Sequence, residues 1–281
     1  MKTMPILPSS LLRCIPIFLI VIWMSFALPS ARSQVVVKNP VMPGGYEEVE
    51  GNSLLVEPFS PEGGHQSPFR FQQVYGASEL AHSTGPLGGW IYAIGFRADG
   101  AGINDSYQGY FSDFSIRFSV TDRGPDELSP VFAENVGSRV STMVSGRTSI
   151  AVGRYGGEDP EPFTMFFTFL SSPYFYDPSQ GNLLMEVNNR GGFLFGIQHG
   201  GVATLDAVDA AGDGVSSVIA SDIGNQVPTA GTVSTKGLVT SFRIVPVPEP
   251  STWALLGLAT VIFGGRFCHT LSRRKAHHVT H

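Results

Sequence analysis

Four acidic residues, Asp206, Asp209, Asp213 and Asp222, fall in one Gly- and Ala-rich stretch ahead of an apolar run. Carboxylates beside loop carbonyls are the oxygen donors that calcium takes. Asp206, Asp209 and Asp213 are therefore the calcium candidates, although their spacing matches no EF-hand and a solvated loop has the same composition. Glycoside hydrolysis would instead need two carboxyls facing each other across about 5 to 10 Å. Glu158, Asp159 and Glu161 cluster around Pro160 and Pro162, and Asp113 and Glu186 lie in or beside strands. These are the acids a hydrolase would draw on.

Three histidines, His65, His82 and His199, are each solitary and read as solvated loop residues rather than catalytic bases. His277, His278 and His281 follow the basic cluster at the C-terminus. Trp90, Tyr92, Tyr107, Tyr110, Tyr174 and Tyr176 offer a sugar-stacking platform, with a core role as the alternative. No nucleophile elbow, phosphate loop, zinc-protease helix or dinucleotide fingerprint occurs. The two cysteines, Cys14 and Cys268, lie near opposite ends, so the middle has no disulfide or cysteine nucleophile. No catalytic residue and no cofactor is assigned, and a non-enzymatic protein is expected.

The elements that must position these side chains are strands. Phe69, Phe71, Gln73 and Tyr75 alternate with Arg70, Gln72 and Val74. Trp90 to Phe96, Phe114 to Val120, Phe163 to Phe169 and Leu238 to Ile244 show the same period of two. That period places one series on a buried face and the other toward water. Shorter runs at Val140 to Val144, Ser149 to Val152, Leu183 to Val187, Phe193 to Ile197 and Val215 to Ala220 add further strands. Gly85-Pro86, Asp99-Gly100, Gly156-Gly157 and Asp177-Pro178 supply turns between them. About ten strands without a sustained helical period predict an all-β fold, an antiparallel β-sandwich of jelly-roll type. A closed barrel is the competing arrangement.

The chain has 281 residues and a net charge of −5, distributed unevenly. Between Gln34 and Val245 there are 11 basic residues against 22 acids, whereas both ends are purely basic outside that span apart from Glu249. An acidic middle repels phosphate backbones, so nucleic acid is not an expected partner. Residues 1–33 read as a signal peptide for the secretion translocon, with an apolar run from Ile15 to Phe26 and cleavage between Ser33 and Gln34. Residues 34–68 read as a lead-in segment with one strand at Val35-Val36-Val37, and 69–245 as the sandwich domain. The rest, 246–281, forms a tail: Val247-Pro248-Glu249-Pro250-Ser251, a single transmembrane helix over about 252–271, and a basic end, 272–281, carrying Arg273, Arg274 and Lys275. The prolines keep the first part extended, and the basic end predicts a cytoplasmic C-terminus.

This order of parts resembles the PEP-CTERM sorting signal of Gram-negative bacteria. Val247-Pro248-Glu249-Pro250-Ser251 matches its motif, Trp253-Ala254-Leu255-Leu256-Gly257-Leu258 its helix start, and Arg273-Arg274-Lys275 its basic end. Arg266 and the end Ala276 to His281 depart from the commoner form. The resemblance implies recognition by an exosortase-type processing enzyme, transient anchoring in the inner membrane, and delivery to the cell surface or extracellular matrix. It also implies an association with exopolysaccharide. The middle, through Phe71-Gln72-Gln73-Val74-Tyr75, Ile94 to Asp99, Asn182 to Val187 and Gly237 to Phe242, is similar to a domain recurrent in such secreted proteins, which brings no activity with it. The expected function is that of a surface-sorted, matrix-associated β-sandwich. The alternatives are a carbohydrate-binding module, calcium-stapled or not, and a polysaccharide-acting hydrolase.

Overall fold

Alternation in the strongest run has a direct structural consequence. Phe71 and Tyr75 are fully buried between two sheets, with Phe69 nearly so. The computed structural model describes residues 36–59, 68–100, 107–152, 159–190, 193–197, 204–221 and 227–248. Its elements in chain order are β1 (Val41–Met42), β2 (Ser53–Leu55), β3 (Phe69–Tyr75), helix α1 (Ala77–Thr84), β4 (Gly89–Arg97) and β5 (Tyr107–Thr121). Next come helix α2 (Phe132–Asn135), β6 (Ser138–Val152), β7 (Phe163–Thr168), β8 (Tyr174–Tyr176) and β9 (Asn182–Asn189). The series closes with β10 (Phe193–Ile197), β11 (Leu205–Asp209), β12 (Val215–Ser221), β13 (Thr232–Ser234), β14 (Lys236–Leu238) and β15 (Thr240–Pro246). Val35–Val247 makes up one compact unit, distinct from the chain ends.

Every strand pair among the described residues is antiparallel. A five-stranded sheet runs β1-β15-β4-β7, with β8 also on β4, and a seven-stranded sheet runs β10-β5-β9-β3-β12-β13, with β6 also on β5. A small sheet, β14-β11-β2, completes the set, and the Ala98–Leu205 bridge ties it to the end of β4. The expected antiparallel β-sandwich is present. Its core is aromatic. Phe59 meets Phe96 at 4.9 Å and Phe167 at 5.3 Å, Tyr75 meets Phe242 edge-on at 4.9 Å, and Phe118 meets Phe169 at 5.7 Å. Tilted and edge-on pairs suit the ring quadrupoles and add to the burial of each ring.

Three features differ from the reading by period. The first is α1, which fills Ala77–Thr84; with Leu80 and Thr84 as its buried residues, it is too short to show a helical period. Second, the two runs at Val140 to Val144 and Ser149 to Val152 are halves of one strand, β6, bridged by Gly146 at φ +89°. A residue with a Cβ is strained at that angle, so the chain reads as broken there although the ladder continues. Third, segment 34–68 contributes β1 and β2 to the sheets, downstream of the valine run. Lys38 bonds Ile244 through both backbone groups at 2.8 Å, while Val36 and Val37 lie exposed.

Candidate functional site

The carboxylates chosen from the sequence fall into two separate clusters. Glu186 stands in one row with Gln72 and Arg117, its direct cross-strand partners on β3 and β5. Its Oε2 accepts from Arg70 Nε at 2.9 Å, Arg70 Nη2 at 2.5 Å and Gln72 Nε2 at 2.7 Å. Oε1 accepts from Arg117 Nη2 and from Asn188 Nδ2, the latter at 2.9 Å. Burial alone would raise this carboxyl, but the guanidinium groups of Arg117 and Arg70 outweigh it and hold it below its ordinary range. Gln72 also bonds Phe132 O and Asn135 Nδ2, so α2 is pinned over the network. A polar series expected to face water is buried here, because Leu128 and Phe132 cover that face of the seven-stranded sheet by packing on its Val74, Leu184 and Val218.

The second cluster surrounds Arg97, which is 1% exposed. Asp206 Oδ2 accepts from Arg97 Nε at 2.6 Å, and its Oδ1 accepts from Gly51 N at 2.8 Å. Arg97 also donates to Val49 O at 2.6 Å and lies over the Phe163 ring. Close by, Glu50 accepts from Gly100 N and hydrogen-bonds Asp159. The Glu50 carboxyl is pushed up to about 7 from its ordinary 4.5, first by burial, then by the bond to Asp159, with the charges of Asp99 and Asp159 adding to it. Two carboxyls in direct hydrogen-bond contact are nearer than either glycosidase geometry allows. A carboxyl raised in the fold keeps a proton that the unfolded chain has released. Stability owed to this pair therefore falls as pH rises from about 4.5 through about 7. Glu50→Gln is expected to melt above the parent at pH 8 and to lose that advantage at pH 5, by a few degrees at most since the pair is largely solvated. Melting curves at both pH values test this; a gain equal at both would refute it.

The calcium candidates do not converge. Asp206 faces Arg97, Asp209 Oδ1 accepts from Thr235 Oγ1 at 2.6 Å, and Asp213 Oδ1 accepts from Val215 N at 2.9 Å. Asp213 Oδ2 is buried without a hydrogen-bond partner; burial raises this carboxyl, and Asp126 and Glu79 add to the effect. Among the described residues no group of three His, Cys, Asp or Glu side chains could hold a metal ion. Asp222, Glu158, His65 and His199 lie outside the described residues, as do Ser33, Gln34, Glu249, Pro250, Ser251, Arg273, Arg274 and Lys275. Glu161 is buried, Asp113 is exposed on β5, and His82 is exposed on α1.

The aromatic candidates divide by face. Tyr174 and Tyr176 point into the core, their hydroxyls bonding Arg139 O and Gly181 O. Tyr110 lies under Arg147, and Tyr92 is half-buried. Trp90 is 40% exposed on the outer face of the five-stranded sheet, its ring 5.0 Å from Phe175. Trp90 sits directly across from Phe175 on β8 and Val245 on β15.

That row lies where the described chain leaves the fold. β15 is held between β1 and β4, and just past its end Val247 N donates to Gly88 O at 3.0 Å. Gly88 has φ +79°, and a Cβ there would stand 2.7 Å from Tyr176 O, so only glycine lets the turn close against β8. Beside it is a cleft of about 510 Å³ lined by Ala81, His82, Gly85, Pro86, Asp177, Pro178 and Ser179. Two features of the fold were hidden in the sequence. One is Gln73, whose amide bonds Leu238 through both its oxygen and nitrogen and so latches β3 to β14. The other is α2. A Gln-Gln pair between strand aromatics was the available signal for both.

Compared with protein families, residues 246–269 match the model of the PEP-CTERM protein-sorting motif. Neither a curated protein nor a solved structure matches the chain.

Proposed function

We propose, from the premise that this chain carries a PEP-CTERM protein-sorting motif whose match begins at Pro246, the final residue of β15, that it is a surface-delivered, non-enzymatic β-sandwich of the exopolysaccharide matrix. The motif implies export, processing by an exosortase-type enzyme and transient membrane anchoring. In our reading the secretion translocon carries the chain across the inner membrane, the C-terminus stays cytoplasmic, and the domain reaches the surface or matrix once the tail is processed. The carrying observation is the junction itself. Among the described residues the β ladder ends at Pro246 and the last backbone bond is made by Val247, so a cut near Pro250 spares both.

The non-enzymatic reading draws on the state of the acids. Glu186 accepts five hydrogen bonds from neighbouring side chains, Asp206 is committed to Arg97, and Glu50 touches Asp159. Calcium has no part in the proposal, because Asp206, Asp209 and Asp213 have separate partners.

Intact mass and fractionation test the delivery step. The protein recovered outside the cell should begin at Gln34 and end near Pro250, whereas Pro250→Ala should leave most of the chain at full C-terminal length in the membrane fraction. A parent chain that remains cytoplasmic with its tail intact would sink the proposal. The matrix step is tested by co-sedimentation with the producing cell's own extracellular polysaccharide, which should retain the protein and show no loss of chain length.

A further inference from the structure

Exposed apolar side chains gather where the chain leaves the sandwich. Val36 is 55% exposed, Val37 52%, Leu87 45% and Trp90 40%. Leu87 immediately precedes Gly88, which accepts the bond from Val247. Trp90 is across from Val245, two residues before Val247. Val36 and Val37 precede Lys38, which is paired with Ile244 on β15. Phe175, half-buried, backs Trp90.

Sequence sets the distance from this rim to the membrane. Five residues lead from Pro248 to Trp253, the first residue of an uncharged apolar run that continues to Gly265. Five residues span at most about 17 Å when fully extended. The headgroup zone of one leaflet takes up roughly 5 to 8 Å of that. We propose that, while the tail is membrane-held, the rim formed by Leu87, Trp90, Val36 and Val37 docks on the lipid interface beside it. The proposal rests on the anchoring that the sorting motif implies.

Trp90 has the chemistry for that layer. An indole presents an apolar body and one N–H donor, the combination enriched at membrane–water interfaces. Charge argues that the docking is conditional. The region from Gln34 to Val245 holds 22 acids and 11 bases, so an anionic leaflet repels it. One Trp, one Leu and two Val cannot hold an acidic domain on such a surface from free solution. A short tether raises the local concentration of lipid to about millimolar or more, and under that condition a weak patch binds. Cutting the tether removes the condition. The rim therefore stays on the lipid interface until processing, and then lets go.

The chain has three tryptophans, Trp23, Trp90 and Trp253. With Trp23→Phe and Trp253→Phe in the full chain, Trp90 is the sole reporter. The chain is reconstituted in phosphatidylcholine–phosphatidylglycerol vesicles containing lipid brominated high on the acyl chain, and vesicle flotation scores anchoring. Docking predicts that bromine quenches Trp90 emission, as for an indole held at headgroup level, and that the vesicles shield it from acrylamide. Leu87→Ser should weaken both effects without shifting the melting midpoint. A chain that floats while Trp90 is untouched by bromine and open to acrylamide overturns the docking alone. A chain that does not float overturns anchoring and docking together. Shielding by extracellular polysaccharide and not by lipid would assign the rim to a glycan and also overturn the proposal.

Discussion

A chain stopped after Val239 is expected to give no folded domain, whereas a chain stopped after Pro248 should melt at the midpoint of the full-length protein. The difference is nine residues and one strand. β15 lies between β1 and β4, and its Phe242 and Ile244 are fully buried against the opposite sheet. Truncating one such Phe to Ala costs about 3–5 kcal/mol, and one Ile about 2–5 kcal/mol. A whole domain is stable by about 5–15 kcal/mol, so losing both side chains with their ladder exhausts it. Thr240 goes as well, and with it the contact to the buried Tyr75 hydroxyl at 3.0 Å. Cutting after Pro248 removes none of these groups and spares the bond from Val247 to Gly88. Thermal melts followed by circular dichroism decide the matter. A cooperative melt in the shorter chain would show that β15 is dispensable and would dissolve the link between fold and processing.

The second large effect concerns Arg97 and Asp206, which are 1% and 0% exposed at their side chains. Asp206→Leu should destabilise the domain by about 3–5 kcal/mol, because it leaves a buried guanidinium without its counter-charge. It also strands Gly51 N, which Asp206 Oδ1 otherwise satisfies at 2.8 Å. Adding Arg97→Met should restore much of the loss, since an apolar pair of similar volume avoids the cost of burying charge. Urea midpoints of the two single variants and the double variant supply the cycle, with the slopes checked for constancy. An additive double variant would mean that the pair does not act as a unit. Chelator should leave the parent's midpoint in place, because Asp206 acts here as a counter-ion; a fall would return it to the role of calcium ligand.

Strand position was legible to the extent that the core lies on one side of each strand. Phe69 to Tyr75, Phe163 to Phe169 and Val215 to Ala220 coincide with β3, β7 and β12 to within a residue, because a period of two is a local property of extended backbone. The roles of Arg70, Gln72 and Glu186 were not legible. Alternation placed Arg70 and Gln72 toward water and left Glu186 only in or beside a strand, and the crossing of α2 over the seven-stranded sheet is what covers them. The acid runs misled in a similar way. Asp206, Asp209 and Asp213 are near one another in sequence, yet Asp206 reaches Arg97, 109 residues away.

What the sequence determined by itself is the address and the kind of fold. A sorting motif is read by its processing enzyme as a contiguous extended peptide, and strand alternation needs no partner to be visible. What tertiary structure decided is which charges meet. Glu186 is ringed by Arg70 and Arg117 because strands distant in the chain lie side by side, and Glu50 hydrogen-bonds Asp159 across loops far apart in sequence. It also set the junction, where Val247 is fastened to Gly88 and the apolar rim of Leu87 and Trp90 lies beside the exit. Pairing across a sheet depends on register and on chain crossings, and neither is written in the spacing of residues along one strand.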